Sequence, residues 1–345
     1  MIGAGKTDIN EWTELIERYR SQSRHNLQEW PYREAARLRN RQFGNRVYLR
    51  GLIEVSSYCR MDCYYCGIRK SNDRALRYRL TKSEILDSCA AGHDLGFETF
   101  VLQGGEDGWF TDAVLCDLIS EIKRKYPGCA VTLSLGEKSK ESYQALKAAG
   151  ADRYLLRHET AGRMHFGQLH PGGQTLESRK KCLYTLRETG FQVGAGFMVG
   201  SPGQTVRELA ADMMFLIDLN PHMVGIGPFI PHRDTPFGDR PGGGLWDTLL
   251  MLALTRIALP KALIPATTAL GSIHPDGREM GLQAGANVVM PNLTPPVRRK
   301  AYSLYDGKLS SGAESAEGLQ ILISRLEAAG FAADMSRGDH PDRAQ

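Results

Sequence analysis

The sequence predicts an α/β fold: a complete (β/α)8 barrel of the TIM type, with N-terminal helices and a short C-terminal helical extension. Two observations support this prediction. From Val47, strand-like and helix-like segments alternate over about 250 residues, which is typical of parallel strands joined by crossover helices. Eight candidate strands match such a barrel in number and length, although a doubly wound open sheet would show the same periodicity.

Each element follows from its apolar periodicity. The predicted strands cover residues 47–55, 99–103, 130–134, 153–156, 192–198, 223–229, 264–268 and 287–290. Amphipathic helices are predicted between them at 82–95, 112–125, 140–149, 176–189 and 206–219. This order places one helix after most strands, as a barrel requires.

The chain divides into three parts. Residues 1–47 form a helical lead-in, 48–300 the barrel and 301–345 a C-terminal extension. In the lead-in, Asp8 can cap a first helix, and a second, arginine-rich helix covers 29–41. A last helix is predicted at 314–329, and we expect the charged, apolar-poor tail 336–345 to be mobile.

Composition excludes several classes of protein. The 43 Lys and Arg residues and 39 Asp and Glu residues leave a formal net charge of +4, which does not indicate a nucleic-acid binder. The first residues show no secretory signal and no apolar run approaches the roughly 20 residues of a membrane span, so the cytoplasm is expected. Seven cysteines, three of them within eight positions, indicate metal ligation in a reducing compartment rather than disulfides.

Those three cysteines are Cys59, Cys63 and Cys66, with C-x3-C-x2-C spacing directly after the first predicted strand. Three thiolates from one loop can hold three corners of an iron–sulfur cubane and leave one iron without a protein ligand. A barrel also places its chemistry on loops that leave the carboxyl ends of the strands. A zinc knuckle or a chance cluster is the alternative, but zinc wants a fourth ligand, and no histidine lies nearby.

Polar residues end the next three strands. Gly104-Gly105-Glu106 lets the backbone approach a ligand closely, and its carboxylate or carbonyls can accept from an ammonium group. Thr132 and Ser134 share one face of their strand, either as ligand contacts or as ordinary sheet residues. Arg157 can hold a carboxylate in a bidentate fork and Glu159 can accept from a ribose, unless both belong to a solvated loop.

On these motifs the sequence resembles the radical S-adenosylmethionine (SAM) superfamily, whose hallmark is C-x3-C-x-aromatic-C; Tyr65 fills the aromatic position. The resemblance implies an enzyme with an oxygen-sensitive [4Fe–4S] cluster whose open iron chelates the amino and carboxylate groups of SAM. An electron from the reduced cluster then cleaves the S–C5′ bond and yields a 5′-deoxyadenosyl radical. Glycines 104 and 105 with Glu106 match the GGE motif that holds the methionine end.

Longer stretches resemble the [FeFe]-hydrogenase maturases of the HydE family. These are TLSLGE (132–137), DRYLLRHET (152–160), GAGFMVGSPGQT (194–205), MVGIGPFIPHRDTP (223–236), IPATTALG (264–271) and GANVVMPN (285–292). The resemblance implies radical attack on a cysteine-bound iron complex carrying CO and cyanide, in cells that also hold the maturases HydG and HydF and a reductant such as a ferredoxin or flavodoxin. It implies SAM contacts from Tyr65, Gly104, Gly105, Glu106, Ser134, Glu159 and Arg179. It implies substrate contacts from Gln103, Thr132, Ser134, Arg157, Thr267, Thr268, Met290 and Tyr302.

One departure from that family concerns a second cluster, which some members bind on three C-terminal cysteines. The matching positions here are Ser310, Gly318 and Ile321, so the sequence predicts a single cluster. Three alternatives remain open: a methylornithine synthase, a biotin-synthase-like enzyme acting on a small amino-acid-like substrate, and a non-catalytic iron–sulfur electron carrier. An electron carrier normally supplies four protein ligands to its cluster, which this loop does not.

Overall fold

The computed structural model describes residues 8–22 and 26–343, and within them the chain forms an α/β fold. Its strands are β1 (Arg46–Leu49), β2 (Gly51–Ser56), β3 (Thr99–Gly104), β4 (Ala130–Ser134), β5 (Arg153–Leu155), β6 (Gln192–Ala195), β7 (Met198–Val199), β8 (Met223–Val224), β9 (Gly227–Pro228), β10 (Val288–Val289) and β11 (Ala332–Asp334). None of the helices in the described ranges is long and apolar enough to cross a bilayer.

The helices alternate with the strands. They are α1 (Ile9–Gln22), α2 (Trp30–Phe43), α3 (Lys82–Asp94), α4 (Asp112–Lys125), α5 (Lys140–Ala148), α6 (Arg163–Leu169), α7 (Leu176–Glu188), α8 (Val206–Leu219), α9 (Leu245–Ala258), α10 (Thr268–Ile273), α11 (Gly277–Gln283), α12 (Pro296–Arg299) and α13 (Leu319–Ala328). The two predicted N-terminal helices are present, and α1 packs against α8 while α2 packs against α9. The lead-in therefore covers the outside of the helical layer.

All the strand pairs are parallel. The main sheet has the order β2-β3-β4-β5-β6-β8, and β1 pairs with β10 on one side and β11 on the other. Parallel sheets are buried on both faces, and β2 and β6 are buried along their whole length. The predicted α/β class with a parallel sheet is confirmed.

One predicted strand is absent: residues 264–268 form no strand. Two single parallel bridges stand in its place, Met223 to Leu263 and Pro265 to Val288. Pro265 has no N–H to donate to a ladder, and α10 begins directly afterwards at Thr268. Pairing between the main sheet and β10 therefore depends on isolated bridges at this position.

Three other predicted strands are each broken in two. The predicted strand 47–55 becomes β1 and β2, which lie in different sheets. The predicted strand 192–198 becomes β6 and β7, and 223–229 becomes β8 and β9. The breaks in these last two strands face each other, because a Cβ on Gly196 would lie 2.0 Å from the carbonyl oxygen of Gly225. Gly196 has φ +155°, and the two backbones approach more closely than side chains allow.

The C-terminal extension differs most from its prediction. Helix α13 begins at Leu319, after two 3-10 turns, and is followed by the unpredicted β11. In the structure, residues 336–343 of this tail contact the rest of the chain, while 344–345 lie outside the described residues. Arg337 and Asp339 both form ion pairs there, and Asp339 lies 2.6 Å from the fully buried Arg153.

The ordered tail lies at the amino ends of the strands. A cavity of about 660 Å³ forms there, lined by residues of the tail and of the strand beginnings, including Gln192, Asp152 and Arg343. None of the predicted site residues lines this cavity. It lies at the opposite end of the barrel from the cysteine loop.

Candidate functional site

The cysteine loop leaves the carboxyl end of β2 and is held by its own backbone and by one arginine. The guanidinium of Arg77 donates four hydrogen bonds of 2.5–3.0 Å to carbonyls of this loop, those of Ser57, Ile68, Arg69 and Asn72. A fork of donors that is always charged suits this role, since it joins several orphaned carbonyls at once. The loop is therefore shaped before any metal binds.

The three thiols lie within electrostatic reach of one another and are partly buried. Burial raises the pKa of Cys63 to about 12 and that of Cys66 further, and each neighbouring thiol adds to the effect. Burial also raises the pKa of Cys59. Thiolates are the ligands that metals bind, so only a strongly positive centre would hold these groups deprotonated.

The described residues contain no group of three His, Cys, Asp or Glu side chains close enough to ligate a single metal ion. A zinc ion would need its sulfur ligands about 2.3 Å from one point. One loop that supplies three thiols instead fits a cluster with several irons, one of which has no protein ligand. The residues present therefore fit the predicted cluster better than the zinc alternative.

The GGE loop after β3 packs directly on the cysteine loop. A Cβ on Gly105 would lie 2.2 Å from the carbonyl oxygen of Tyr58 and 2.7 Å from Cβ of Cys59. The N–H of Arg60 also donates to the carbonyl of Glu106 at 2.9 Å. Glycine is required at position 105 because the two loops touch through their backbones.

The carboxylate of Glu106 is already engaged. It accepts from the N–H of Glu137 at 3.0 Å and from Arg60 at 3.2 Å, and burial raises its pKa. Gly136, at φ +77°, leaves the space that this side chain occupies. The structure thus places the Glu106 carboxylate as a brace between two loops.

Arg179 is likewise partnered. On α7, its Nε donates to Glu137 at 2.6 Å and its Nη1 donates to the carbonyl of Arg157 at 2.6 Å. Although burial would lower the pKa of Arg179, the carboxylate of Glu137 raises it above the usual range. Arg179 therefore stays charged beside the cysteine loop, within electrostatic reach of Tyr65 and Glu159.

Tyr65 points toward a histidine that the sequence did not single out. Its hydroxyl lies 3.2 Å from Nε2 of His170, whose ring stacks on Phe166. Next to it, the Oε1 of Gln174 lies 3.6 Å from the thiol of Cys63. The Nε2 of Gln174 is buried without a hydrogen-bond partner among the described residues, so a polar group is aimed at the cysteine pocket.

The inner wall of the barrel carries more such atoms. Within the described part of the chain, buried polar atoms without a hydrogen-bond partner include Thr132 Oγ1, Thr267 Oγ1, Nε and Nη2 of Arg157 and Oε2 of Glu159. Arg157 and Glu159 lie 3.1 Å apart as an ion pair but are not aligned for a hydrogen bond. Unsatisfied buried groups are costly, and their concentration on one wall is typical of a binding site.

The other predicted substrate contacts surround this wall. Ser134 is in register with Gln103, whose Nε2 donates to the hydroxyl of Tyr302 at 3.3 Å. Thr268 begins α10, and Met290 packs on the buried cluster around Met223 and Val288. The structure brings Gln103, Ser134 and Tyr302 together, whereas Met290 lies among apolar side chains.

Sequence reasoning missed a buried ion pair at the same level. Glu54 on β2 is fully buried, and its carboxylate accepts from Lys308 at 2.6 Å and from Asn292 at 3.0 Å. Glu54 is in register with Gln103, and the ammonium of Lys308 lies 5.2 Å from the centre of the Tyr302 ring. A carboxylate within the apolar strand GLIEVS was a signal that could have found it.

The comparisons with known proteins agree on one superfamily. The family model described as "Radical SAM superfamily" matches residues 53–216. The [FeFe] hydrogenase maturase subunit HydE of Thermotoga maritima is 47% identical over 305 residues, which cover 88% of this chain and 87% of that protein. The predicted resemblance is confirmed.

More distant relatives share the architecture. The 3-methylornithine synthase of Methanosarcina acetivorans is 29% identical over 302 residues, covering 87% of this chain and 84% of that protein. Among solved structures, a methylornithine synthase (PylB) superposes with a TM-score of 0.82 at 25% identity, over 95% of this chain and 94% of that one. The similarity extends from the N-terminal helices through the barrel.

Proposed function

This chain belongs to the HydE family of radical SAM enzymes, and on that premise we propose that it acts on a cysteine-bound iron complex carrying CO and cyanide during assembly of the [FeFe]-hydrogenase active site. The observation that carries the proposal is the 47% identity to a maturase over 88% of the chain. The enzyme uses a [4Fe–4S] cluster and SAM, as its superfamily does. When bound and reduced, that cluster supplies the electron that cleaves SAM to a 5′-deoxyadenosyl radical.

The three cysteines would hold the cluster, and the loops around them would hold SAM. Backbone carbonyls of Gly104 and Gly105 would accept from the ammonium, because the Glu106 carboxylate is used as a brace. The charge of Arg179 lies close to Tyr65 and favours the SAM carboxylate. Glu159, whose Oε2 forms an ion pair with Arg157 but no hydrogen bond, would accept from the ribose.

The substrate would lie against the inner wall of the barrel. Arg157 has one donor atom, Nε, without a partner and a second, Nη2, that is engaged only by the ion pair with Glu159; Thr132 and Thr267 each have a hydroxyl without a hydrogen-bond partner. An anionic complex with a carboxylate or cyanide would satisfy such donors. A closed apolar surround also keeps water and stray hydrogen donors from a reactive radical.

Partners follow from the same relationship. The maturases HydG and HydF would be its partners, with a ferredoxin or flavodoxin as reductant. An oxygen-sensitive cluster fits the reducing cytoplasm of an anaerobic cell. Absence of cysteine at positions 310, 318 and 321 supports a single cluster.

The test separates this function from its rivals. Cluster-loaded, reduced protein with SAM is given either a synthetic cysteine-bound Fe(CO)2(CN) complex or lysine, and 5′-deoxyadenosine and products are measured. We expect consumption of the iron complex and none of the lysine; methylornithine as product would overturn the proposal. Cys63→Ala should abolish 5′-deoxyadenosine, while Cys116→Ala, on α4, should not. A parent protein that never cleaves SAM would favour the electron carrier.

A further inference from the structure

The segment that follows β5 has an unusual backbone. Glu159 has φ +65°, a left-handed conformation that non-glycine residues rarely adopt. Such strain persists only where the surrounding structure over-determines it, and it concentrates at functional sites. Glu159 lies within electrostatic reach of Cys63 and Tyr65, so the contacts that hold its backbone in this conformation also set its position beside the cysteine loop.

His158 points away from the interior of the barrel and into the layer between the sheet and the helices. Its ring is fully buried and makes an edge contact with Phe215 on α8 at 4.9 Å. Nδ1 accepts a hydrogen bond from the N–H of Gly196 at 3.3 Å, and Nε2 lies 3.2 Å from Asp212. The acceptor role of Nδ1 leaves the proton on Nε2, which donates to Asp212.

Asp212, also fully buried on α8, binds the same segment a second time. Its Oδ1 accepts from the N–H of Ala161 at 2.5 Å. The carboxylate thus joins the side chain of residue 158 to the backbone of residue 161, and Glu159 lies between these two points. The backbone of Glu159 is further fixed by hydrogen bonds to Gly196 and Met198.

We propose that His158 and Asp212 are positioning residues that hold residues 158–161 in the conformation that directs Glu159 at SAM. Neither side chain reaches the interior of the barrel, so neither is a catalytic residue. Partners that orient a binding group in this way act through hydrogen-bond geometry, and losing them typically weakens ligand binding about 10- to 100-fold. The inference rests on the proposed SAM contact of Glu159.

The main test is the SAM affinity of the cluster-loaded, reduced protein. It is measured by adding SAM and recording the change in the electron paramagnetic resonance signal of the cluster. His158→Phe keeps the aromatic packing on Phe215 and removes both hydrogen bonds, and Asp212→Leu removes both acceptor contacts. Each should weaken SAM binding about tenfold or more at unchanged cluster content. Asp212→Asn keeps Oδ1 as an acceptor and should restore binding to near the parent value. Unchanged SAM affinity in His158→Phe would overturn the inference.

Leu209→Ala is the matched control for stability. Leu209 is buried on the same helix, one turn before Asp212, and its apolar side chain forms no hydrogen bond with either member of the pair. We expect a lower melting temperature with unchanged SAM affinity. If Leu209→Ala weakens SAM binding as much as His158→Phe does, the pair only stabilises the fold and the inference fails.

Two further measurements keep the outcomes separate. Glu159→Gln should weaken SAM binding. If it does not, the proposed contact between Glu159 and SAM fails. If Glu159→Gln weakens SAM binding and His158→Phe does not, only the positioning role is refuted. Nitrogen-15 NMR tests the hydrogen bonds of His158 in the parent protein, so its result does not depend on whether a variant folds. It should show His158 protonated on Nε2, with the Ala161 amide protected from exchange, and the opposite tautomer would contradict the inference.

Discussion

The guanidinium of Arg179 lies 2.6 Å from the carboxylate of Glu137, and both side chains are mostly buried beside the cysteine loop. Arg179 follows Glu137 by 42 positions, on a different helix and loop. A lone arginine would be free to turn toward a ligand, whereas Arg179 is held by Glu137. Arg179 is oriented before SAM binds, and its charge is shared between a fixed carboxylate and the ligand.

A double-mutant cycle on this pair should therefore show strong coupling. Arg179→Met leaves Glu137 partly buried without its partner and should destabilise the protein by about 3–5 kcal/mol. The double variant Glu137→Gln, Arg179→Met should be more stable than Arg179→Met, because no uncompensated charge remains. Urea unfolding measures both, and additive effects would show that the pair is not a unit.

Gly105 gives a sharper test of the loop contact. Gly105→Ala would push a methyl group into the carbonyl of Tyr58 and Cβ of Cys59, so we expect loss of most of the bound iron. Gly108→Ala in the same loop meets nothing within 4 Å and is the matched control. The measurement is the iron and sulfide content of the two variants and the parent after reconstitution of the cluster. Equal content in the two variants would show that the two loops do not need to touch.

The parts of the fold that could be predicted are those whose cause is local. Strand β4 and helix α8 have the predicted bounds, since β4 is a buried β-rich run and α8 begins with the Thr205–Glu208 capping box. The cysteine loop follows from spacing alone. Resemblance supplied the positions of Arg157, Glu159 and Thr267 on one wall, although it could not show which of their atoms lack partners.

The parts that could not be predicted depend on contacts between distant positions. Nothing in the composition of 336–343 shows that Asp339 would meet Arg153 and Gln192 at the barrel base. Likewise, Glu106 and Arg179 look like free ligand groups until the structure supplies Glu137 and Arg60 as their partners. A charged residue has many oppositely charged candidates along the chain, and only the topology selects one.

Lys308 is such a long-range partner, and it lies 254 positions after Glu54. Lys308→Met would leave a fully buried carboxylate with only Asn292, and we expect a loss of about 3–5 kcal/mol in the free energy of unfolding. Adding Glu54→Gln should recover most of it. Denaturant titration of the parent and the two variants measures this, and a Lys308→Met variant as stable as the parent would mean that Lys308 does not stabilise the buried side chain of Glu54.

Acid should loosen the ordered tail through His222. Burial, together with the charges of His340 and Arg343, lowers the pKa of His222 to about 4, and its Nδ1 accepts from the N–H of Val193. In the unfolded chain the pKa is about 6.5, so the unfolded state binds the proton first as the pH falls. Stability is therefore complete above about pH 6.5 and is lost as the pH falls toward 4, by up to about 3 kcal/mol from this group.

His222→Asn isolates that contribution. Its Oδ1 can still accept from Val193, but the side chain takes up no proton in this range. Between about pH 7 and pH 4, the parent should lose up to about 3 kcal/mol more stability than the variant. Urea unfolding at several pH values measures the difference, and hydrogen exchange of residues 336–343 shows whether the tail opens first. Identical pH slopes in the parent and the variant would mean that folding does not lower the pKa of His222.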